Sequence, residues 1–183
     1  MRILEWLFAL FLLVVTLPVI LVALIVIRLD SAGAPLLVQT RVGRGKRPFP
    51  LFKLRTMRAG TKVAGTHEVS AAQVTKVGAF LRRTKLDELP QLLNILRGDM
   101  RFVGPRPCLP SQTKLIAERD SRGVYAVHPG ITGAAQVAGI DMSDPVRLAI
   151  ADAAYIGDRS TKGDLRLMWQ TFRGGGRGDR TSA

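Results

Sequence analysis

Asp87 and Glu88 stand directly behind Arg82-Arg83-Thr84-Lys85 and ahead of Leu89-Pro90. Adjacent carboxylates following a cluster of cations suit chemistry on a phosphate. A helix N-terminus and nearby cations hold a carboxylate ionised and attract anions. An ionised Asp can attack phosphorus and form an acyl phosphate. A carboxylate and a diphosphate repel each other, so the attack needs charge neutralisation. Lys53, Arg55, Arg82 and Arg106 are the candidates, and Mg²⁺ is a further one. A structural role fits the same residues, with Asp87 as a helix N-cap and Glu88 as a first-turn acid. Gly104-Pro105-Arg106-Pro107 holds one arginine between two prolines, which restrict the backbone on both sides. A guanidinium held that way suits a bidentate phosphate contact, or is simply a surface group on a stiff loop. His128-Pro129-Gly130-Ile131-Thr132-Gly133 is a second turn-rich loop with less chemical content.

Other sites fail on their residues. Gly43-Arg44-Gly45-Lys46 lacks the Ser or Thr and the spacing of a phosphate loop. One cysteine, Cys108, and two histidines cannot build a structural zinc site or a disulfide scaffold. A buried inert thiol is a commoner state for Cys108 than a nucleophile paired with His128.

Short elements must position these residues. Residues 36–42 and 51–57 are two short strands around the turn-rich GRGKRPFP, so a hairpin is expected. Alternation puts Lys53 and Arg55 on one face of the second strand and Phe52, Leu54 and Thr56 on the other. Residues 70–84, 88–96 and 145–156 carry helical periodicity, with Pro90 in a first turn. Leu165, Met168, Trp169 and Phe172 make a stripe on a helix from Gly163. Residues 104–110 and 128–133 are loops, and 173–183 is a flexible Gly-rich tail. Its Arg177-Gly178-Asp179 tripeptide is a chance occurrence.

The chain has 183 residues, 47% of them hydrophobic, and a net charge of +13. That hydrophobicity excludes a disordered chain. Trp6–Ile27 is an uncharged run of 22 residues, about 33 Å as a helix against about 30 Å of hydrocarbon. It exceeds the h-region of a cleaved signal peptide. Pro18 sits mid-run, so a kink is expected. Sequence physics leaves a kinked spanning helix and a helix that enters and leaves by one face equally open. Eight cations and no acid lie between Ser31 and His67: Arg41, Arg44, Lys46, Arg47, Lys53, Arg55, Arg58 and Lys62. The positive-inside bias therefore places the C-terminal domain in the cytoplasm. The same charge suits a membrane-tethered protein binding nucleic acid or anionic lipid. Only 6% of residues are aromatic, which argues against base stacking.

Five blocks occur in order: Phe52-Lys53-Leu54-Arg55-Thr56-Met57, Leu86-Asp87-Glu88-Leu89-Pro90-Gln91-Leu92, Arg97-Gly98-Asp99-Met100, Val103-Gly104-Pro105-Arg106-Pro107 and Pro129-Gly130-Ile131-Thr132-Gly133. With the apolar N-terminus they resemble the bacterial sugar transferases, the monotopic phosphoglycosyl transferases, in their minimal catalytic form. The resemblance implies transfer of a phospho-sugar from a nucleoside diphosphate sugar, usually a UDP-sugar, to undecaprenyl phosphate. UMP is released, and the product opens the membrane stage of glycan assembly. It implies Asp87 as nucleophile, Glu88 as its partner, Mg²⁺ at one of the two, and a covalent phospho-sugar intermediate. Substrate contacts are implied for Lys53, Arg55, Arg82, Pro105, Arg106, Pro107, His128, Gly130, Thr132 and Gln136.

The implied fold is α+β and mainly helical. A kinked re-entrant membrane helix at 1–30 breaks at Pro18 with help from Thr16. A catalytic domain at 31–172, with a β-hairpin and amphipathic helices packed at the membrane interface, precedes a tail at 173–183. The implied setting is the cytoplasmic face of a bacterial inner membrane, with the nucleotide sugar, the lipid phosphate and downstream glycosyltransferases as partners, and no nucleic acid. Three departures from the family pattern stand out. Leu17 replaces a Ser before the membrane proline, His128 replaces an Arg, and Ala138-Gly139-Ile140 lacks two polar groups.

Overall fold

The computed structural model describes residues 2–61 and 73–174. Lys62, the expected helix start at Ser70 and most of the tail, including Arg177-Gly178-Asp179, lie outside the described residues.

The apolar run folds as α1, Arg2–Asp30, one helix that continues through Pro18, so the break expected there is not seen. Pro18 has no amide hydrogen, so the Val14 carbonyl loses its intrahelical donor there. The Thr16 hydroxyl donates to the Leu12 carbonyl at 2.7 Å, one turn earlier. One stripe of α1 is covered along its length: Ala9, Ile20, Ala23 and Ile27 are buried, with Leu12, Leu13, Thr16 and Leu24 half-buried between them. The other faces expose Leu7, Phe11, Val15, Val22 and Ile25. A helix apolar all round but covered on one stripe suits a surface that meets lipid. It is long and apolar enough to cross a membrane, and 17% of its most apolar stretch is buried, unlike a soluble core helix.

Both ends of α1 touch the rest of the protein. Near the N-terminus, the Trp6 indole donates to the Leu96 carbonyl at 3.1 Å. Phe8 lies 5.3 Å from Phe102 between ring centres, and Glu5 pairs with Arg101 at 3.6 Å. At the C-terminus, Ile27 packs on Leu54 and Leu81.

Strands β1 (Leu36–Val42) and β2 (Pro48–Leu54) form the expected antiparallel hairpin, with Leu36 opposite Leu54 and Val42 opposite Pro48. β2 starts and ends three residues earlier than its periodicity predicts. The short turn at Arg44–Lys46 sets that register. Helix α2 (Lys76–Thr84) is capped by the Thr75 hydroxyl accepting from the Gly78 amide. Gly78 lies against the chain leaving β2, where a Cβ would meet the Thr56 carbonyl oxygen at 2.0 Å. Lys85, in the left-handed region at φ 58°, ends α2 and opens a 3-10 helix, Leu86–Gln91. That turn runs directly into α3, Leu92–Arg97.

The remainder is β3 (Arg101–Val103), α4 (Thr113–Ser121), β4 (Gly130–Thr132), α5 (Ala134–Val137), α6 (Pro145–Gly157) and α7 (Thr161–Phe172). β3 and β4 pair in parallel, so residues 130–132 form a strand where a loop was expected. The parallel crossover brings the two Pro-rich loops together. Three apolar clusters hold these parts, one on each half of α1 and a third around Cys108, Leu115 and Leu148. On α7, Leu165, Trp169 and Phe172 face outward while Leu167 and Met168 pack inward. The described residues are thus a mainly helical α+β fold with small sheets and one long apolar helix.

Candidate active site

The left-handed turn at Lys85 swings Asp87 inward. Its side chain is 4% exposed, and Lys53 Nζ lies 3.1 Å from Oδ2. Asp87 sits inside the 3-10 helix and caps nothing, so the N-cap reading does not apply. Glu88 follows about 120° further round the 3-10 turn and pairs with a different cation. Its Oε1 accepts from Arg106 Nη2 at 2.9 Å. Two carboxylates of one turn are therefore each held by a cation from a different element. Such charge-assisted contacts, largely out of water, are stronger than surface pairs.

Lys53 is positioned by β2, which is tied to α3 through Asn94. The fully buried Asn94 side chain accepts from the Phe52 amide at 3.1 Å and donates to the Pro50 carbonyl at 2.6 Å. Arg106 is positioned by its backbone. The Pro105 carbonyl accepts from the Gly130 amide at 3.0 Å. The Pro107 carbonyl accepts from Arg41 at 3.2 Å, and the Arg106 carbonyl from Arg119 at 2.8 Å. Arg119 is itself buried and paired with Asp152 at 2.6 Å, linking α4 to α6. Burial pushes the Asp152 carboxyl above its ordinary value, against the pull of Arg119. Burial also pushes the Tyr125 phenol up, helped by the adjacent Cys108. The Cys108 thiol is fully buried and faces that phenol at 3.5 Å, as an inert thiol would.

Of the residues singled out in the sequence, Lys53 meets Asp87 and Arg106 meets Glu88, the two carboxylates being neighbours on one turn, with Pro105 and Pro107 flanking the arginine. Arg82 lies on the last turn of α2, with Nε donating to the Thr56 hydroxyl at 2.9 Å. Arg55 is elsewhere. Its buried guanidinium donates to the carbonyls of Ala32 at 2.6 Å, Ser31 at 2.6 Å and Ile27 at 3.4 Å, and to the Ser31 hydroxyl. β2 ends at Leu54, so strand alternation does not carry Arg55 to the Lys53 face.

Gly130 serves close packing, since a Cβ there would lie 2.1 Å from the Gly104 nitrogen. The Thr132 hydroxyl meets that of Thr171 on α7. Gln136 donates to the Ile131 carbonyl at 3.3 Å, and its own amide oxygen is buried without a partner. His128 lines a cleft of about 740 Å³ with Arg44, Arg47, Phe49 and Asp99. Phe49 and Lys53 are four residues apart on β2, so that cleft opens about 13 Å from the Lys53 end. The site also depends on Asn94, Arg119 and Asp152. Asn94 was traceable as a polar residue inside an apolar helical face. Nothing in the sequence marks the other two.

The described residues contain no cluster of three or more His, Cys, Asp or Glu side chains. Mg²⁺ does not require one, because it binds through one or two carboxylates together with substrate phosphates and water. Asp87 and Glu88 fit that donor set.

These features coincide with a family pattern. The bacterial sugar transferase model matches residues 1–176, and the chain belongs to that family. A UDP-glucose:undecaprenyl-phosphate glucose-1-phosphate transferase of Caulobacter vibrioides is 41% identical over 164 residues, covering 84% of this chain and 61% of that protein. An exopolysaccharide production protein of Rhizobium leguminosarum is 37% identical, covering 87% of this chain and 86% of that protein. A UDP-N-acetylgalactosamine-undecaprenyl-phosphate N-acetylgalactosaminephosphotransferase of Aeromonas hydrophila is 33% identical, covering 85% of this chain and 38% of that protein. The chain thus spans about three fifths of the Caulobacter relative and well under half of the Aeromonas one.

Proposed function

We propose that this protein transfers a phospho-sugar from a nucleoside diphosphate sugar, a UDP-sugar by the activities its relatives are named for, to undecaprenyl phosphate. The observation that carries the reading is the buried Asp87 carboxylate held against Lys53, with the Glu88–Arg106 pair beside it. In the first step an Asp87 oxygen attacks the sugar-linked phosphorus. The P–O bond to UMP breaks, and UMP leaves with its electron pair. In the second step an oxygen of the lipid phosphate attacks the same phosphorus, and the aspartyl P–O bond breaks to restore the carboxylate. Lys53 holds the Asp87 carboxylate in place and screens it from the incoming diphosphate. Arg106, on its restrained loop, offers its fork to a phosphate. Asp87 and Glu88 would hold Mg²⁺, which when bound neutralises diphosphate charge.

The reaction belongs at the cytoplasmic face of the inner membrane, by the basic excess after α1. There α1 enters and leaves by one face, a reading supported by the contacts of both its ends with one domain. The outward Leu165, Trp169 and Phe172 of α7, with Arg173 stacked 4.8 Å from the Trp169 ring, suit an interfacial helix.

The test is UMP release from a panel of UDP-sugars by the purified full chain, before any lipid acceptor is added. Release with Mg²⁺, loss on chelation and loss in Asp87→Asn are expected. Normal turnover by Asp87→Asn overturns the covalent route.

A further inference from the structure

The cleft beside His128 lies at the opposite end of β2 from Lys53, and its walls are basic. It holds about 740 Å³, with Arg44 and Arg47 from the hairpin turn facing Asp99 after α3. A second cleft of about 370 Å³ adjoins it, lined by Glu5, Trp6, Arg97 and Arg101. Gly98 and His128 line both, so the two form one trough from the hairpin turn to the first turn of α1. Each acid of the trough is already paired, Asp99 with Arg97 at 3.1 Å and Glu5 with Arg101 at 3.6 Å. Arg44 and Arg47 are exposed and pair with no acid among the described residues. Two guanidiniums are thus left without countercharge over the larger cleft. At its other end the trough meets an apolar surface. Ile3, Leu4 and Leu7 of α1 are 75%, 71% and 51% exposed. Trp6 stands at the junction, with its indole donating to the Leu96 carbonyl, the place a tryptophan takes between hydrocarbon and water. A basic hollow continuous with an exposed apolar helix face complements an amphiphile with an anionic head better than a wholly water-soluble anion.

From this geometry we infer that the trough binds the headgroup of an anionic glycerophospholipid, a bilayer lipid that takes no part in the transfer reaction. Its phosphodiester is drawn in by Arg44 and Arg47, and its acyl chains lie along the first turns of α1. The lipid fixes the N-terminal end of α1 at the headgroup plane. The Asp87 turn, at the other end of β2, stays free for substrate. The inference rests on the membrane placement of α1 and not on the transfer reaction.

The test uses the full chain in phosphatidylcholine nanodiscs. The chain has two tryptophans, Trp6 and Trp169, so Trp169→Phe leaves Trp6 as the reporting indole. A minor fraction of dibrominated phosphatidylglycerol is expected to quench Trp6 more strongly than the same fraction of dibrominated phosphatidylcholine. Arg44→Gln together with Arg47→Gln is expected to lower that preference by roughly fivefold per arginine, the strength of one basic residue beside an anionic surface. Both side chains are exposed on a turn, so their loss leaves the fold intact. Lys76→Gln together with Arg83→Gln, on α2 at the far end of α1, is expected to leave the preference unchanged. Millimolar UMP or inorganic phosphate is expected not to displace the lipid. Equal quenching by the two lipids, a preference that survives loss of Arg44 and Arg47 or falls equally in the α2 variant, or displacement by UMP or phosphate overturns the lipid site. Absence of quenching by either lipid overturns the membrane placement of α1, and the site with it.

Discussion

Lys53 and Asp87 form the more deeply buried of the two ion pairs on this turn. Both side chains are largely withdrawn from water, at 13% and 4% exposure. Removing the ammonium leaves a buried carboxylate without its partner, which is more costly than the pair's net contribution. Lys53→Met is therefore expected to lower the initial rate of UMP release by about 10²-fold or more, the scale seen when a preorganised charge is deleted from a reacting centre. Lys53→Arg is expected to recover only part of it, because a planar fork does not replace a point charge at a one-oxygen contact. Thermal melts of both variants separate loss of chemistry from loss of fold. The essential partners at this scale were readable as residue types: cations near a carboxylate pair. Their pairing was not readable. Lys53 goes to Asp87 and Arg106 to Glu88 because the 3-10 turn after Lys85 splays the carboxylates, and a left-handed lysine has no sequence signal of its own.

Among elements, the junction of α1 with β2 depends on Arg55. The last carbonyls of a helix have no intrahelical donors. Here the Arg55 guanidinium, two residues beyond Lys53, donates to the Ser31 and Ala32 carbonyls just past α1 and to the Ile27 carbonyl, which also accepts from the Ser31 amide. It therefore couples the end of α1 to the strand that carries Lys53. Arg55→Met is expected to cost about 2–3 kcal/mol, from the loss of hydrogen bonds to a charged donor in a buried setting. A lowered melting temperature in nanodiscs checks this. Arg55→Lys is not expected to restore it, because one ammonium cannot span the same carbonyls. If Arg55→Met retained full stability, the clamp would have no energetic role. The hairpin, α2, α6 and α7 were legible because each carries enough residues for a period to repeat. β3 and β4, at three residues each, carry none. Their parallel pairing depends on Gly104 and Gly130 approaching closely, and that contact spans a sequence separation no local pattern reports. Arg55 was misplaced for a related reason. Alternation holds only inside a strand, and β2 ends one residue before it.

For the molecule as a whole, the charge and the apolar run can now be assigned. The +13 net charge is not one lipid-facing patch. Arg41, Lys46, Lys53 and Arg55 of the basic segment contact groups within the protein. The contacts at both ends of α1 support the one-face topology proposed for it. At about 1.5 Å per residue, its 29 residues run about 43 Å. The same domain touches it at Glu5 and Trp6 and again at Ile27 and Ser31. A span perpendicular to the bilayer would carry β2, α3 and the Asp87 pair along it into hydrocarbon, where each charge is costly. A helix that dips into one leaflet keeps them at the interface. Cys108 is fully buried, so single cysteines report with little background. Ile3→Cys and Leu29→Cys, at positions 75% and 82% exposed, are expected to react with a membrane-impermeant maleimide in inverted vesicles. Neither is expected to react in intact spheroplasts. Labelling of the two positions from opposite sides would make α1 a spanning helix and require the domain to separate from one of its ends.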